Sequence, residues 1–155
     1  MSHEGDTWSK YQKIINQVYP NRKQTVGKLD FEEMAFCTEM NNVCAAHSAE
    51  AEKNTISEKM QIFKESEFIQ SFPVVILACG GYIINQGNNR QIDNTFNVSF
   101  YREGFPTNSK QNHWIHYSKN PNKPKLVIHT RQLSGRITNE LVFSIGETIK
   151  EFLFP

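Results

Sequence analysis

Val74-Val-Ile-Leu-Ala-Cys-Gly-Gly-Tyr-Ile-Ile84 is the longest apolar run in the chain, and what it becomes decides the fold. It follows Phe72-Pro73 and leads into Asn85-Gln-Gly-Asn-Asn89, a turn by composition. A membrane span needs about 20 apolar residues, twice what this run supplies. It is read instead as a central strand covered on both faces. Gly80-Gly81 predicts a bulge or bend within it. Beyond the turn, Ile92, Asn94, Phe96, Val98 and Phe100 alternate with Asp93, Thr95, Asn97, Ser99 and Tyr101. That period of two predicts a second strand. Together the two segments predict a long antiparallel hairpin with one buried face.

Working outward, His113-Trp-Ile-His-Tyr117 and Lys125 to Leu133 predict two more strands around the turn Asn120-Pro-Asn-Lys-Pro124. Gly104 to Asn112 is a polar loop. Near the C-terminus, Leu141, Ile145, Ile149 and Phe152 sit at helical spacing, while Leu141, Phe143 and Ile145 also alternate as in a strand. Helix is favoured, although Gly146 weakens it. Upstream, Asp6 can cap a helix carrying Trp8, Tyr11, Ile15 and Val18 on one face and stopped by Pro20. Asp30 and Glu33 resemble a capping box for a second helix to about Asn41, with Phe31, Met34 and Cys37 inward. Asn42 to Asn54 is ambiguous. Thr55 and Glu58 form a better capping box, leading a helix through Ile56, Met60 and Phe63.

The expected architecture is therefore α+β: N-terminal helices packed on a curved antiparallel sheet, with an added C-terminal helix. The 155 residues suit a single domain. It divides into a mainly helical 1–70, an antiparallel meander 72–134 and a C-terminal segment 138–155.

Composition narrows the function. There are 17 Lys plus Arg against 16 Asp plus Glu, a net charge of +1, which excludes a strongly basic arm or an acidic tail. The polar N-terminus lacks the regions of a signal peptide. Cys37, Cys44 and Cys79 fit no zinc or disulfide framework. The chain is expected to be soluble and intracellular, in nucleus or cytoplasm, with no membrane partner, no metal and no cofactor.

Motifs for chemistry are sparse. His113 and His116 are three apart on a strand and point to opposite faces, so they cannot chelate one metal together. His47 and His129 lack local carboxylate or thiol companions, and the histidines read first as surface or structural groups. Val26-Gly-Lys28 is only a fragment of a phosphate loop. Asp93 could serve as a base if its strand face lined a pocket, although Thr95, Asn97 and Ser99 beside it make an ordinary polar face. Cys79 is expected to be buried and inert, since burial raises a thiol pKa. Residues 104–139 hold Lys110, Lys119, Lys123, Lys125, Arg131 and Arg136 and no acidic residue, with Trp114, His116 and Tyr117 interleaved. Basic and aromatic residues together can hold a single-stranded nucleic acid. The plain alternative is a solvated sheet edge guarded by lysines, and docking to an acidic protein is a third.

Val75 to Phe100 resembles the central hairpin of nuclear transport factor 2-like domains: an apolar strand reaching a Gly, a polar turn, then Phe96 and Phe100. It looks most like that of the small mRNA-export cofactors in that group. Lys125-Leu-Val-Ile-His-Thr-Arg-Gln-Leu133 is similar to the family's last strand, and Thr55 to Phe68 to the helix before its sheet. The resemblance covers about half the chain and implies a cone-shaped α+β domain whose sheet face dimerises or pairs with a larger partner. The function it implies is a non-enzymatic protein-interaction module, in nuclear transport or mRNA export or as a subunit of a larger complex. Partner contact would then fall on Phe96, Val98, Phe100 and Trp114. Two alternatives stand beside it. One is a cavity enzyme of the same fold, of isomerase or dehydratase type. The other is a single-stranded nucleic-acid-binding subunit using Lys119, Lys123, Lys125, Arg131 and Arg136.

Overall fold

The computed structural model describes residues 3–24, 27–40 and 54–155. Consecutive residues of a strand point to opposite faces, so Leu126, Val127 and Ile128, all fully buried, report on both sides of their sheet. Leu126 and Ile128 enter one hydrophobic core and Val127 the other. Their strand, β6 by chain order (Leu126–Thr130), lies inside a four-stranded sheet. The other members are β1 (Val74–Ala78), β4 (Val98–Gly104) and β5 (His113–Ser118), in the order β1-β6-β5-β4. One face is covered by helices α1 (His3–Val18) and α5 (Asn139–Leu153), which also pack on each other. The opposite face is covered by α2 (Asn54–Glu65) and α4 (Gln91–Phe96). A short α3 (Glu67–Ser71) leads into β1. Strands β2 (Asn85–Gln86) and β3 (Asn89–Arg90) form a small hairpin ahead of α4.

The class is α+β as expected, but the sheet is mixed and open rather than antiparallel. β1 pairs in parallel with β6, Val74 opposite Leu126 through Ala78 opposite Thr130. Among the described residues β4 pairs only with β5, at the far edge. The predicted long hairpin is therefore absent, and β1 is an edge strand. Its apolar run is still covered on both faces: Val74, Ile76 and Ala78 pack on the α1/α5 core, Val75 and Leu77 on the α2/α4 core. Gly80-Gly81 bends the chain into a single 3-10 turn, Gly80–Tyr82, and Gly87 supplies the positive φ of 54° that the two-residue hairpin loop requires.

The strand predicted from Ile92 begins only at Val98. Ile92 and Phe96, four apart, lie on one face of α4, and both are buried. Asn97 then adopts the left-handed conformation (φ 53°) and ends the helix, its N–H donating to the Asp93 carbonyl. The hairpin and α4 carry the chain from one edge of the sheet to the other.

The N-terminal readings also shift. α1 starts at His3, so Asp6 lies within it rather than capping it. Its deepest apolar residues are Ile14 and Val18, with Ile15 half-buried, and Trp8 sits at the surface, stacked on Phe31 at 5.7 Å. The predicted helix to Asn41 is one 3-10 turn, Phe31–Glu33, and Met34 and Cys37 are exposed. The two acids of the supposed capping box are used otherwise, binding Arg22 at 2.7 Å (Asp30) and 2.8 Å (Glu33). Gln12 Oε1 accepts the Asp30 and Phe31 N–H groups, each at 2.8 Å. The ambiguous stretch 42–54 falls almost wholly outside the described residues, as do Cys44 and His47.

The remaining elements agree in type and place, although Thr55 lies inside α2 rather than capping it, and the strand expected over 125–133 is Leu126–Thr130. α2 buries Ile56, Met60 and Phe63, and β5 and β6 lie where predicted. The C-terminal ambiguity resolves as helix, because Thr138 accepts the Leu141 N–H at 3.3 Å as an N-cap. Gly146 at its centre leaves room for the Gln17 side chain, which donates to the Phe143 carbonyl at 2.9 Å.

Candidate functional site

The partner-contact set divides. Phe96 and Val98 are buried in the α2/α4 core and are closed to a partner. Phe96 is helical, so it does not share a strand face with Phe100 as supposed. Phe100 is 48% exposed and packs edge-on against the His116 ring at 5.7 Å. Trp114, half-buried, lies over the His129 ring at 5.3 Å. Phe100 and Trp114 thus belong to one sheet face, the α2/α4 face, beyond the reach of α4.

β4 itself is the more open feature. Ser99, Phe100, Tyr101 and Arg102 are all exposed, and Phe105 just after the strand is 70% exposed. Strand alternation turns Tyr101 to the other face, where it meets Tyr117 at 5.1 Å, and a bulge between Phe100 and Arg102 puts Arg102 opposite Ile115 on that same side. Among the described residues no strand pairs with the outer edge of β4. Aromatic side chains therefore flank an unpaired backbone edge on both faces.

Inward of Phe100 lies a polar cluster built on Asn85. Its Oδ1 accepts the N–H groups of Ile92 (3.1 Å) and Asp93 (3.2 Å), the first turn of α4. Its Nδ2 donates to Asp93 Oδ1 at 3.1 Å and faces His116 Nε2 at 3.5 Å. The far side of Asp93 meets Arg90 at 3.5 Å. His116 Nδ1 donates to the Val127 carbonyl at 3.2 Å, and His129 Nε2 donates to the Gly80 carbonyl at 2.7 Å. Burial holds the pKa of both imidazoles below the ordinary histidine value. Asp93 and His116, 23 positions apart in the sequence, are thus brought together through an amide that the sequence marks only as a turn residue.

His113 points the opposite way, into the α1/α5 side. Thr148 Oγ1, which donates to the Ser144 carbonyl at 2.9 Å, is its neighbour at 3.4 Å, and His113 Nδ1 has no hydrogen-bond partner. Desolvation, with Arg102 adding to it, pushes its pKa down to about 4. The two histidines of β5 face opposite sides, as the strand period requires. Cys79 is buried and its thiol is pushed up to about 12 by desolvation, which leaves it protonated and unreactive at neutral pH. Among the described residues no group of three or more His, Cys, Asp or Glu side chains is placed to hold a metal ion, and no helix is long and apolar enough to cross a membrane.

Comparison with protein-family models, curated proteins and solved structures returned no match.

The basic set does not form one surface. Lys119 and Lys123 are exposed around the β5–β6 turn, whereas Arg131 and Arg136 are exposed beyond the other end of β6. Five residues of strand rising about 3.3 Å each hold the two pairs roughly 16 Å apart or more. Lys125 is committed to structure: its Nζ donates to the Gln70 carbonyl at 2.8 Å and to the Phe72 carbonyl at 2.5 Å, tying the end of α3 to the start of β6. Lys125→Met keeps the stem and removes these charge-assisted bonds. It is expected to cost about 1–2 kcal/mol in urea unfolding, with no change in retention on a heparin column. Lost retention at unchanged stability would restore the polyanion role.

Proposed function

We propose that this chain is a protein-interaction module that pairs through the β4 end of its sheet with another protein. The observation that supports it most directly is the unpaired outer edge of β4, flanked by exposed Phe100, Tyr101 and Phe105. An open strand edge offers a row of backbone donors and acceptors to an incoming strand, and the aromatics beside it add apolar area. Compared with the expectation from sequence, the contact moves from a sheet face bearing Phe96, Val98, Phe100 and Trp114 to an edge bearing Phe100 and Tyr101. The likeness to nuclear transport factor 2-like cones, and with it a role in transport or mRNA export, belongs to this proposal. Its support is the order of helices before strands and the apolar strand that reaches Gly80.

A cavity enzyme has weaker support. The space between sheet and α2/α4 is filled by Met60, Phe63, Ile92 and Phe96, and the Asp93 carboxylate is already engaged by Asn85 and Arg90. A polyanion-binding subunit has weaker support too, since its basic residues lie at both ends of β6.

The test uses the wild-type chain and a Phe100→Ser/Tyr101→Ser variant as baits in native extract, with sedimentation of each alone. The expected result is a protein, or a second copy of the chain, held by the wild type and lost by the variant, at unchanged circular dichroism. Identical retention and identical monomeric sedimentation for both would overturn the proposal.

A further inference from the structure

The Asn85 amide has both ends committed. Its Oδ1 serves two N–H groups of α4, at 3.1 and 3.2 Å, so its Nδ2 must be the end that faces His116. The His116 ring is committed as well. The Val127 carbonyl at Nδ1 can only accept, so that nitrogen carries the proton and Nε2 presents its lone pair to the amide. The arrangement requires a neutral imidazole. A proton on Nε2 would set an N–H against the Asn85 NH2, donor against donor. If the amide then rotates, its oxygen satisfies His116 but its NH2 faces the Ile92 and Asp93 N–H groups. If instead the Asp93 carboxylate takes the imidazolium, it leaves Asn85 and the first turn of α4 must shift. In either case the capping acceptor of Ile92 and Asp93 is disturbed.

We infer that His116 is a proton-sensitive latch on α4: neutral, it fixes the Asn85 amide in the orientation that caps the helix, and protonated, it releases that cap. The groups facing the ring from each packed element are consistent with this. They are the Asn85 amide from β2, Arg90 from β3, the Asp93 carboxylate from α4, the Phe100 ring from β4, and the Val127 carbonyl and His129 imidazole from β6. The Trp114 backbone is the neighbour on its own strand. Burial opposes the imidazolium most strongly and Arg90 adds to it, while the Val127 backbone, the Asp93 carboxylate and the Trp114 backbone favour it. Acid therefore loosens the segment from Asn85 to Phe96, beside the exposed Phe100, before it unfolds the rest.

Hydrogen exchange of single amides tests this on the whole chain. Between pH 7.5 and pH 5, protection of the Ile92 and Asp93 amides, corrected for intrinsic exchange, should fall about tenfold. Protection of Ile145 and Ile149 in α5 also falls, because buried His113 lowers the stability of the whole chain over the same range, and that fall should persist in His116→Phe. The fall at Ile92 and Asp93 should vanish in His116→Phe. A fall at Ile92 and Asp93 that persists in His116→Phe would overturn the latch. Should that variant not fold, nitrogen-15 shifts of the wild-type imidazole decide: the latch requires the Nδ1–H tautomer at pH 7.5, and an Nε2–H tautomer there overturns it.

Discussion

Lowering the pH from 7 to 4.5 should destabilise this protein steeply, with His113 as the largest single contributor. Its ring is fully buried and its pKa is pushed from 6.5 to about 4. The unfolded chain therefore binds a proton across this window and the folded chain does not. Stability is complete above pH 6.5 and drains away as pH falls towards 4. Fully expressed, that shift is worth on the order of 3 kcal/mol. His116 and His129 are lowered in the same direction by burial and add to the slope. The lowered carboxyl of Asp30, held down first by its hydrogen bond from Arg22, titrates below this range and does not confuse it. Urea midpoints at pH 7, 6, 5 and 4.5 measure the effect, and His113→Leu should flatten the curve whatever it costs at pH 7. A midpoint that stays level in the wild type, or an equally steep decline in His113→Leu, would contradict the assignment.

The elements that could be read from sequence are those whose apolar spacing allows one period. In α2, Ile56, Met60 and Phe63 step by four and three, and in α5 Leu141, Ile145 and Ile149 step by four, behind Thr138 as a cap. Ile92 and Phe96 were not legible in this way, because a separation of four is both one helical turn and two strand periods. The arbitrating signals were weak but present. Asp93 and Asn94 are poor strand residues, and Asn97 is among the few residue types that accept a left-handed φ. The pairing of β1 was out of reach for another reason. Its partner β6 lies some fifty positions away (Val74 opposite Leu126), and nothing local distinguishes a parallel neighbour from an antiparallel one. The same holds for the site. Phe100 and Trp114, expected to meet a partner, are exposed and half-buried, and the link from His116 to Asp93 runs through Asn85, which composition marks only as part of a turn. The basic stretch reads as one patch in sequence, yet closeness in sequence is not closeness in space along an extended strand, and its residues lie at both ends of β6.

Gly104→Ala is expected to be the most damaging of the small substitutions. Gly104 ends β4 directly opposite His113 and is itself buried. A Cβ there would overlap Cε1 of the His113 ring and stand 2.9 Å from Nδ1. The backbone at Gly104 is ordinary, so the conflict is steric alone. The ring cannot yield by swinging outward, because it is fully buried and Thr148 lies 3.4 Å from its Nε2. Overpacking of this kind costs about 2–3 kcal/mol, and for a chain of this length the melting temperature should fall by roughly 5–10 °C. The cause can be isolated with a double-mutant cycle. His113→Ala removes the ring and leaves a cavity with its own cost. On that background, adding Gly104→Ala should cost almost nothing, giving a coupling of about 2 kcal/mol between the two positions. Simple additivity would mean that Gly104 is required for something other than the ring. A Gly104→Ala chain that melts with the wild type would mean that His113 has room to move. That outcome would also undercut the acid prediction, since both depend on the ring being confined.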